Sequence, residues 1–159
     1  MESDKIVLDT NCLIAILSRK GRYFSVWQGL HEGKFILCVS NEILHEYEEI
    51  LSAKTNAVIA SNVVQVMLNS PFVEFVDTYF HFHLIEQDKD DNKFVDCAIA
   101  ANAQYIVSED SHFKVLEQIP FPKVNVLRLA SFARMLMGCN WTDNANLLNE
   151  PLAEYNTGK

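Results

Sequence analysis

The stretch IVLDTN at residues 6–11 joins a short apolar run to an aspartate, a threonine and an asparagine. A continuous apolar run of this length with β-branched members is typical of a strand that is buried on both faces of a sheet. Aspartate, threonine and asparagine favour the first positions of a helix. The stretch therefore predicts a buried parallel strand that leads directly into a helix, with Asp9 at the junction.

The same pattern of a short apolar run followed by a helical segment recurs along the chain. Further strands are predicted at residues 35–39, 72–76, 105–107 and 124–127. Helices are predicted at residues 12–17, 24–30, 43–51, 58–68, 94–103, 111–118 and 129–137. Repeated strand–helix units favour an α/β fold, here a three-layer α/β/α sandwich around a central, mainly parallel sheet.

Two local predictions concern less regular segments. Residues 79–85 alternate between apolar and polar types, which predicts an extended or edge segment with His81 and His83 on one face, as surface or packing residues. Ser111 is the predicted N-cap of the helix at residues 111–118. His112 follows Asp110 closely and could touch a site there, but it is expected on the surface of that helix.

A length of 159 residues corresponds to one ordinary domain. We expect that domain at residues 1–137, followed by a tail at residues 138–159 that has little periodicity. The tail carries Trp141, Leu147 and Leu148, which offer apolar surface for docking on a second subunit.

The cysteines and the apolar runs bear on the compartment. Cys12, Cys38, Cys97 and Cys139 have no zinc-ligand spacing, and we interpret them as small buried side chains in a reducing cytosol. No apolar run approaches the ~20 residues that span a bilayer. The expected location is therefore cytoplasmic, with no membrane partner.

The formal net charge of -8 argues against a protein that binds nucleic acid through bulk positive charge. It does not exclude binding through metal ions, because a cluster of carboxylates makes a chain acidic and also recruits cations. The charge therefore leaves a metal-dependent nucleic-acid enzyme open.

Four aspartates stand where such a cluster could form. Asp9 and Asp110 each follow a predicted buried strand, and the carboxyl ends of parallel strands meet at one edge of the sheet. Asp96 interrupts an apolar helix, so it needs a partner, either a metal ion or a basic residue. Asp91 lies at the start of that helix, where it can act as a cap or as a metal ligand. For a single aspartate, a turn or cap role is the alternative.

Glu46 is one of four glutamates on the predicted helix at residues 43–51 and its N-terminal flank. A solvated acidic face explains such a group equally well, so position alone does not select it. Carboxylate oxygens suit Mg²⁺ and Mn²⁺, and such a site can catalyse displacement at phosphorus. No phosphate-binding glycine loop and no GxSxG motif is present.

Four segments together resemble the motifs of the PIN-domain family. Residues 8–11 are similar to its opening motif, residues 40–47 to its second, residues 91–100 to its third and residues 106–110 to its fourth. Their order and spacing cover nearly the whole predicted core. Each motif alone is weakly specific, but four in order are much more so.

This resemblance implies a PIN-like fold with a quartet of acids around one or two Mg²⁺ or Mn²⁺ ions. The quartet maps onto Asp9, Glu46, Asp96 and Asp110, which would be both catalytic residues and metal ligands. Asp91 is the accessory acid, and it can exchange the main role with Asp96. The chain looks most similar to VapC-type toxins of bacterial toxin–antitoxin pairs, which cleave RNA and are silenced by an antitoxin.

The expected function is therefore that of a metal-dependent endoribonuclease, acting by metal-assisted hydrolysis and forming a homodimer. Candidate contacts to RNA are Asn11, Arg19, Arg22, Lys93 and Ser108, although a solvated role is the alternative for each basic side chain. Two other functions stay open from the sequence. One is a PIN-type nuclease that acts on DNA, and the other is a non-catalytic RNA-binding or scaffold module.

Overall fold

A computed structural model describes residues 3–86 and 88–138 of the chain. Apart from Gly138, the predicted tail lies outside the described residues. The predictions for Cys139, Trp141, Leu147 and Leu148 therefore lie outside them as well.

Five strands form one parallel sheet in the order β3-β2-β1-β4-β5. The strands are β1 (Lys5–Leu8), β2 (Ile36–Val39), β3 (Val73–Phe75), β4 (Tyr105–Val107) and β5 (Val126–Leu127). Leu8 at the end of β1 pairs with Val107 at the end of β4. All neighbouring strands are parallel, so their carboxyl ends lie along one edge of the sheet. The predicted α/β fold is confirmed.

Six α-helices and two 3₁₀ segments connect the strands. The helices are α1 (Thr10–Leu17), α2 (Phe24–His31), α3 (Asn41–Lys54), α4 (Ala57–Asn69), α5 (Asn92–Ala101) and α6 (Leu129–Met137). The 3₁₀ segments are Lys89–Asp91 and Ser111–Gln118. Side chains fix two helix starts, because Ser40 accepts a hydrogen bond from the backbone of Ile43 and Asn56 accepts one from Ile59.

The helices lie in two layers around the sheet. Helix α1 packs on α2 and α3, α3 packs on α4, and α2 packs on α6. Helix α5 packs on β1, β2 and β4, and its Phe94 meets Phe113 of the 3₁₀ helix with ring centroids 6.4 Å apart. Right-handed crossovers place α5 on the face opposite α1, because the chain reverses direction across the sheet after β3.

Cys12, Cys38 and Cys97 are buried in the core, as predicted. Burial raises the pKa of the Cys12 thiol well above its ordinary value. It raises the pKa of Cys38 and of Cys97 to about 12 in each case. At neutral pH these thiols are therefore protonated and behave as small apolar groups.

Residues 79–85 were predicted to be an extended or edge segment, and the edge-strand alternative is wrong, since none of these residues is in a strand. Side chains of α5 form hydrogen bonds with backbone groups of this segment that would otherwise pair with a neighbouring strand. Phe82 N–H donates to Asp96 Oδ1 at 3.0 Å. Asn92 accepts from Ile85 N–H at 2.9 Å and donates to Ile85 C=O at 2.8 Å. His83 also has φ of 52°, outside the strand region.

A second correction concerns the segment after β4. Residues 111–118 form a 3₁₀ helix, and its N-cap is Asp110 rather than Ser111. The Asp110 carboxylate accepts a hydrogen bond from the backbone of His112 at 2.9 Å.

Among the described residues no helix is both long and apolar enough to cross a membrane.

Candidate metal centre

Asp9 and Ser108 connect the carboxyl ends of the two central strands. Asp9 N–H donates to the backbone of Val107 at 3.0 Å, which extends the ladder by one residue. The Ser108 hydroxyl donates to Asp9 Oδ2 at 2.8 Å and accepts from the backbone N–H of Asp110 at 3.0 Å. The sheet register therefore brings Asp9 and Asp110 to one place, as their strand ends predicted.

Asp91 enters the same place from the start of α5. Its Oδ2 lies 3.3 Å from His112 Nδ1, and that nitrogen is also 3.3 Å from Asp110 Oδ1. His112 was expected on a helix surface, and this expectation is wrong. The 3₁₀ helix begins at the strand end, so it directs the ring back towards the acids, and the side chain is only 35% exposed.

The electrostatics identify which acids act on one another. Burial is the main cause of the raised pKa of Asp9, and Asp110 and Glu46 raise it further, while the Ser108 hydrogen bond lowers it. Burial likewise raises the pKa of Asp91 to about 6, with contributions from Asp110, Asp88 and Asp9. These acids therefore share a field of like charge, which a bound cation would relieve.

Glu46 reaches this field from α3, and both of its oxygens have partners. Lys93 Nζ lies 2.7 Å from Oε1, and the Thr10 hydroxyl donates to Oε2. The Lys93 side chain is only 15% exposed in this pair. Lys93 was predicted to contact RNA. Glu46 would compete with RNA for this side chain. Residue patterns left four glutamates equivalent, and only the family resemblance selected Glu46.

Asp96 is buried, with 3% exposure, and has a partner, as its apolar surroundings required. The partner is a histidine and a backbone amide. His81 Nδ1 lies 3.2 Å from Oδ2, and Phe82 N–H donates to Oδ1 at 3.0 Å. In the described part of the chain, Asp96 has no hydrogen bond to a group at the strand ends. The structure thus brings Asp9, Asp91 and Asp110 together but gives Asp96 other contacts.

The remaining predicted contacts to RNA differ in position. Asn11, Arg19 and Arg22 are exposed, at or after the start of α1. Ser108 is buried, and its hydroxyl is already bonded to Asp9. Of these four residues, Asn11, Arg19 and Arg22 lie on the surface.

A divalent cation fits the donor set of this site. Asp88, Asp91 and His112 each offer a donor atom, and these atoms all lie within 4.8 Å of one another, the only such group in residues 3–86 and 88–138. Asp110 Oδ1 lies 3.3 Å from His112 Nδ1, and Ser108 connects Asp110 to Asp9, so the acids of the strand ends adjoin this group. Mg²⁺ characteristically retains several waters.

Sequence reasoning missed Asp88 as a member of this group, and it favoured a helix surface for His112 over contact with the site. His112 was two residues from Asp110, but its direction depends on a 3₁₀ start that the sequence did not reveal. Asp88 precedes the 3₁₀ segment Lys89–Asp91 and caps it by accepting from the backbone of Asp90. No spacing rule connects these two residues, because tertiary packing alone brings them together.

Comparisons with known proteins bear on the family and the fold. Residues 5–112 match the PIN domain family, which is more than half of the chain. A chain of VapBC2 from Rickettsia felis, solved bound to a DNA fragment from their promoter, has a TM-score of 0.54 and 20% identity; the match covers 78% of this chain and 98% of that one.

A chain of DNA-bound VapBC from Salmonella typhimurium has a TM-score of 0.52 and 17% identity, with coverage of 79% and 98%. At these identities the two structures show a common fold. No curated protein matches the chain. Its match over residues 5–112, together with this fold, shows that the chain belongs to the PIN-domain family.

Proposed function

We propose that this protein is a metal-dependent endoribonuclease that hydrolyses RNA phosphodiester bonds. The observation that carries the proposal is that hydrogen bonds through Ser108 and His112 connect Asp9, Asp110 and Asp91 at the carboxyl ends of β1 and β4. Open α/β sheets place their sites at this edge. The PIN-domain family match supports nuclease chemistry at such a cluster.

Asp9, Asp91 and Asp110 would hold Mg²⁺ or Mn²⁺. A divalent cation at such a site supplies charge that stabilises a phosphate in its transition state, and it lowers the pKa of water. The side chains of the protein fix the position of that charge, because Ser108 orients Asp9 and the backbone of His112 orients Asp110.

Asp91, rather than Asp96, takes the third acidic place in this proposal. Asp91 feels the charges of Asp110 and Asp9, whereas the two oxygens of Asp96 are bonded to His81 and Phe82. We assign Asp96 to holding the segment at residues 76–86 on α5. This assignment gives the main role to the acid that the sequence had treated as accessory.

Glu46 contributes negative charge at the rim of the site. Its oxygens accept from Lys93 and Thr10, so it is oriented and partly neutralised before substrate arrives. Lys93 would contact an RNA phosphate only after leaving Glu46. Arg19, Arg22 and Asn11 are exposed and are the better candidates for first contact with RNA.

The proposed biological role is the toxin of a toxin–antitoxin pair in the cytoplasm. Support comes from the similarity of fold to chains of two VapBC complexes. The proposed partners are RNA as substrate, a protein antitoxin as inhibitor, and a second copy of the chain in a homodimer. Light scattering of the purified protein would test the dimer, and growth arrest on expression that Asp9→Asn abolishes would support the toxin role.

The test of the activity uses a labelled structured RNA and a matched single-stranded DNA. Each is incubated with the protein in Mn²⁺, in Mg²⁺ and in EDTA, alongside Asp9→Asn, Asp91→Asn and Asp96→Asn. We expect RNA cleavage that requires metal, that Asp9→Asn and Asp91→Asn abolish, and that Asp96→Asn retains in part.

Other outcomes would redirect the proposal. Cleavage of DNA alone would make the protein a DNA nuclease of the same family. Loss of cleavage in Asp96→Asn with retention in Asp91→Asn would restore the assignment made from sequence. A folded protein that neither binds Mn²⁺ nor cleaves RNA would be a non-catalytic binding or scaffold module.

A further inference from the structure

We propose that His112 is a positioning residue, which holds Asp91 and Asp110 through the proton on its Nδ1 so that both carboxylates face a common cation. The inference rests on the metal-dependent activity proposed above. It adds a residue that neither the strand-end pattern nor the four motifs identified.

The contacts of His112 determine where its proton is. Nδ1 lies 3.3 Å from Asp91 Oδ2 and 3.3 Å from Asp110 Oδ1, and 3.9 Å from Asp88 Oδ2. An ionised carboxylate only accepts hydrogen bonds, so a ring nitrogen among three of them must donate. We therefore assign a proton to Nδ1, shared mainly between Asp91 and Asp110.

The backbone of His112 reinforces the same arrangement. Its N–H donates to Asp110 Oδ1 at 2.9 Å, so one residue binds that oxygen twice. From Asp110 the hydrogen bonds continue through Ser108 to Asp9 Oδ2. His112 thus links Asp91 to a chain of hydrogen bonds that runs through Asp110 and Ser108 to Asp9, and the chain joins three acids from different parts of the sequence.

This chain uses one oxygen of Asp91 and one of Asp110. Within residues 3–86 and 88–138, Oδ1 of Asp91 and Oδ2 of Asp110 have no hydrogen-bond partner. These two oxygens are the ones left for a cation. With the proton on Nδ1, the lone pair of the ring is on Nε2, on the other side of the ring from the Nδ1 that contacts Asp91 and Asp110, so His112 acts on a cation at these acids through the carboxylates rather than as a ligand.

The test compares two substitutions that differ in the donor. His112→Asn keeps an N–H group near the position of Nδ1, whereas His112→Phe keeps a flat ring and removes the donor. His45→Phe changes an exposed histidine on α3 and serves as the matched control. Binding of Mn²⁺ is measured for each protein by the electron paramagnetic resonance signal of the free ion.

We expect His112→Phe to weaken Mn²⁺ binding by about 10–100-fold, the usual effect of removing a residue that orients a metal ligand. His112→Asn should bind within about threefold of the unaltered protein, and His45→Phe should bind equally well. In RNA cleavage, excess Mn²⁺ should restore much of the rate of His112→Phe, because the ligands themselves are intact.

Two spectroscopic measurements separate positioning from direct ligation. In the metal-free protein, ¹⁵N shifts of the His112 ring should show a proton on Nδ1. In the Mn²⁺ complex, spin-echo modulation should show no coupling to an imidazole nitrogen. Such a coupling would make His112 a ligand and overturn the proposal.

Two further outcomes also decide the matter. Unchanged Mn²⁺ affinity in His112→Phe would overturn the positioning role and leave the proposed activity standing. Failure of the unaltered, folded protein to bind Mn²⁺ would overturn the proposed activity and this inference together.

Discussion

Asp91 and Asp96 are five residues apart, yet the two carboxylates have different surroundings. Each residue of an α-helix turns by about 100°, so five residues place two side chains about 140° apart. Asp91 consequently faces His112 and Asp110, whereas Asp96 faces His81 and Phe82. A single helical segment can therefore supply one acid to the metal centre and another to a structural contact.

Substitution of these two aspartates should have separable effects. We expect Asp91→Asn to lower metal-dependent RNA cleavage by a factor of about 100 or more, because loss of a ligand exceeds the 10–100-fold cost of losing its support. Asp96→Asn should bind Mn²⁺ nearly as well but unfold at a lower temperature. Asp90→Asn, an exposed neighbour, is the control. Equal loss of metal binding in both variants would contradict the assignment.

The pKa of Asp91 predicts a pH dependence. Burial raises it from 3.8 to about 6, so between these values the folded state retains a proton that the unfolded chain releases. The contribution of this group to stability therefore falls as pH rises from about 4 to about 6. A cation favours the ionised form, so Mn²⁺ should raise the melting temperature more at pH 7.5 than at pH 5.

Calorimetry at both pH values, with and without Mn²⁺, measures this difference. In Asp91→Asn the Mn²⁺ shift should be small at either pH. An equal Mn²⁺ shift at pH 5 and pH 7.5 in the unaltered protein would show that Asp91 does not control the binding.

At the scale of elements, the sequence predicted best those ends of helices and strands that a single local rule determines. The helix predicted at residues 129–137 is α6 (Leu129–Met137), because Gly138 follows it with φ of 62°. Asp9 and Asp110 were predictable because strand ends follow from apolar runs. Glu46 required a comparison with a family, since its helix offers several equivalent acids.

Residues 76–86 show why the rest could not be predicted. The alternation at residues 79–85 indicates a strand only if the backbone groups pair with another strand. Here Asp96 and Asn92 on α5 bind those groups instead. An alternation of apolar and polar residues does not show which group on another element binds the backbone. For the same reason, the sequence did not show that His112 and Asp88 lie together.

Asn92 should be important for the stability of this segment. Its buried side chain binds both the N–H and the C=O of Ile85, so Asn92→Ala leaves two polar groups without a partner. We expect a loss of about 1–3 kcal/mol in the free energy of unfolding, measured in urea. Asn62→Ala, at an exposed position on α4, should change it little. Equal effects of the two substitutions would contradict this role.

At the scale of the whole molecule, the net charge of -8 weakens the electrostatic attraction between the protein and RNA. Each phosphate neutralised on a single strand contributes about -0.7 to the slope of log affinity against log salt. With Arg19 and Arg22 as the main exposed contacts, the slope of log(kcat/KM) against log[KCl] at fixed Mn²⁺ should be no steeper than about -2. Arg19→Gln should make it shallower.

A slope of about -5 or steeper would instead indicate an extended basic surface, formed in a dimer. The slope in the Arg19→Gln variant distinguishes a local contact from such a surface. The first changes with one arginine, and the second does not.

Because Cys12, Cys38 and Cys97 are buried, the rate at which each thiol is alkylated measures how often the structure around it opens. A protonated thiol inside the core does not react with an alkylating reagent until the surrounding structure separates. Cys97 lies on α5 beside Asp96, whereas Cys12 lies on α1 in the opposite layer. Alkylation rates followed by mass spectrometry would therefore show whether the two layers come apart separately or only when the whole chain unfolds.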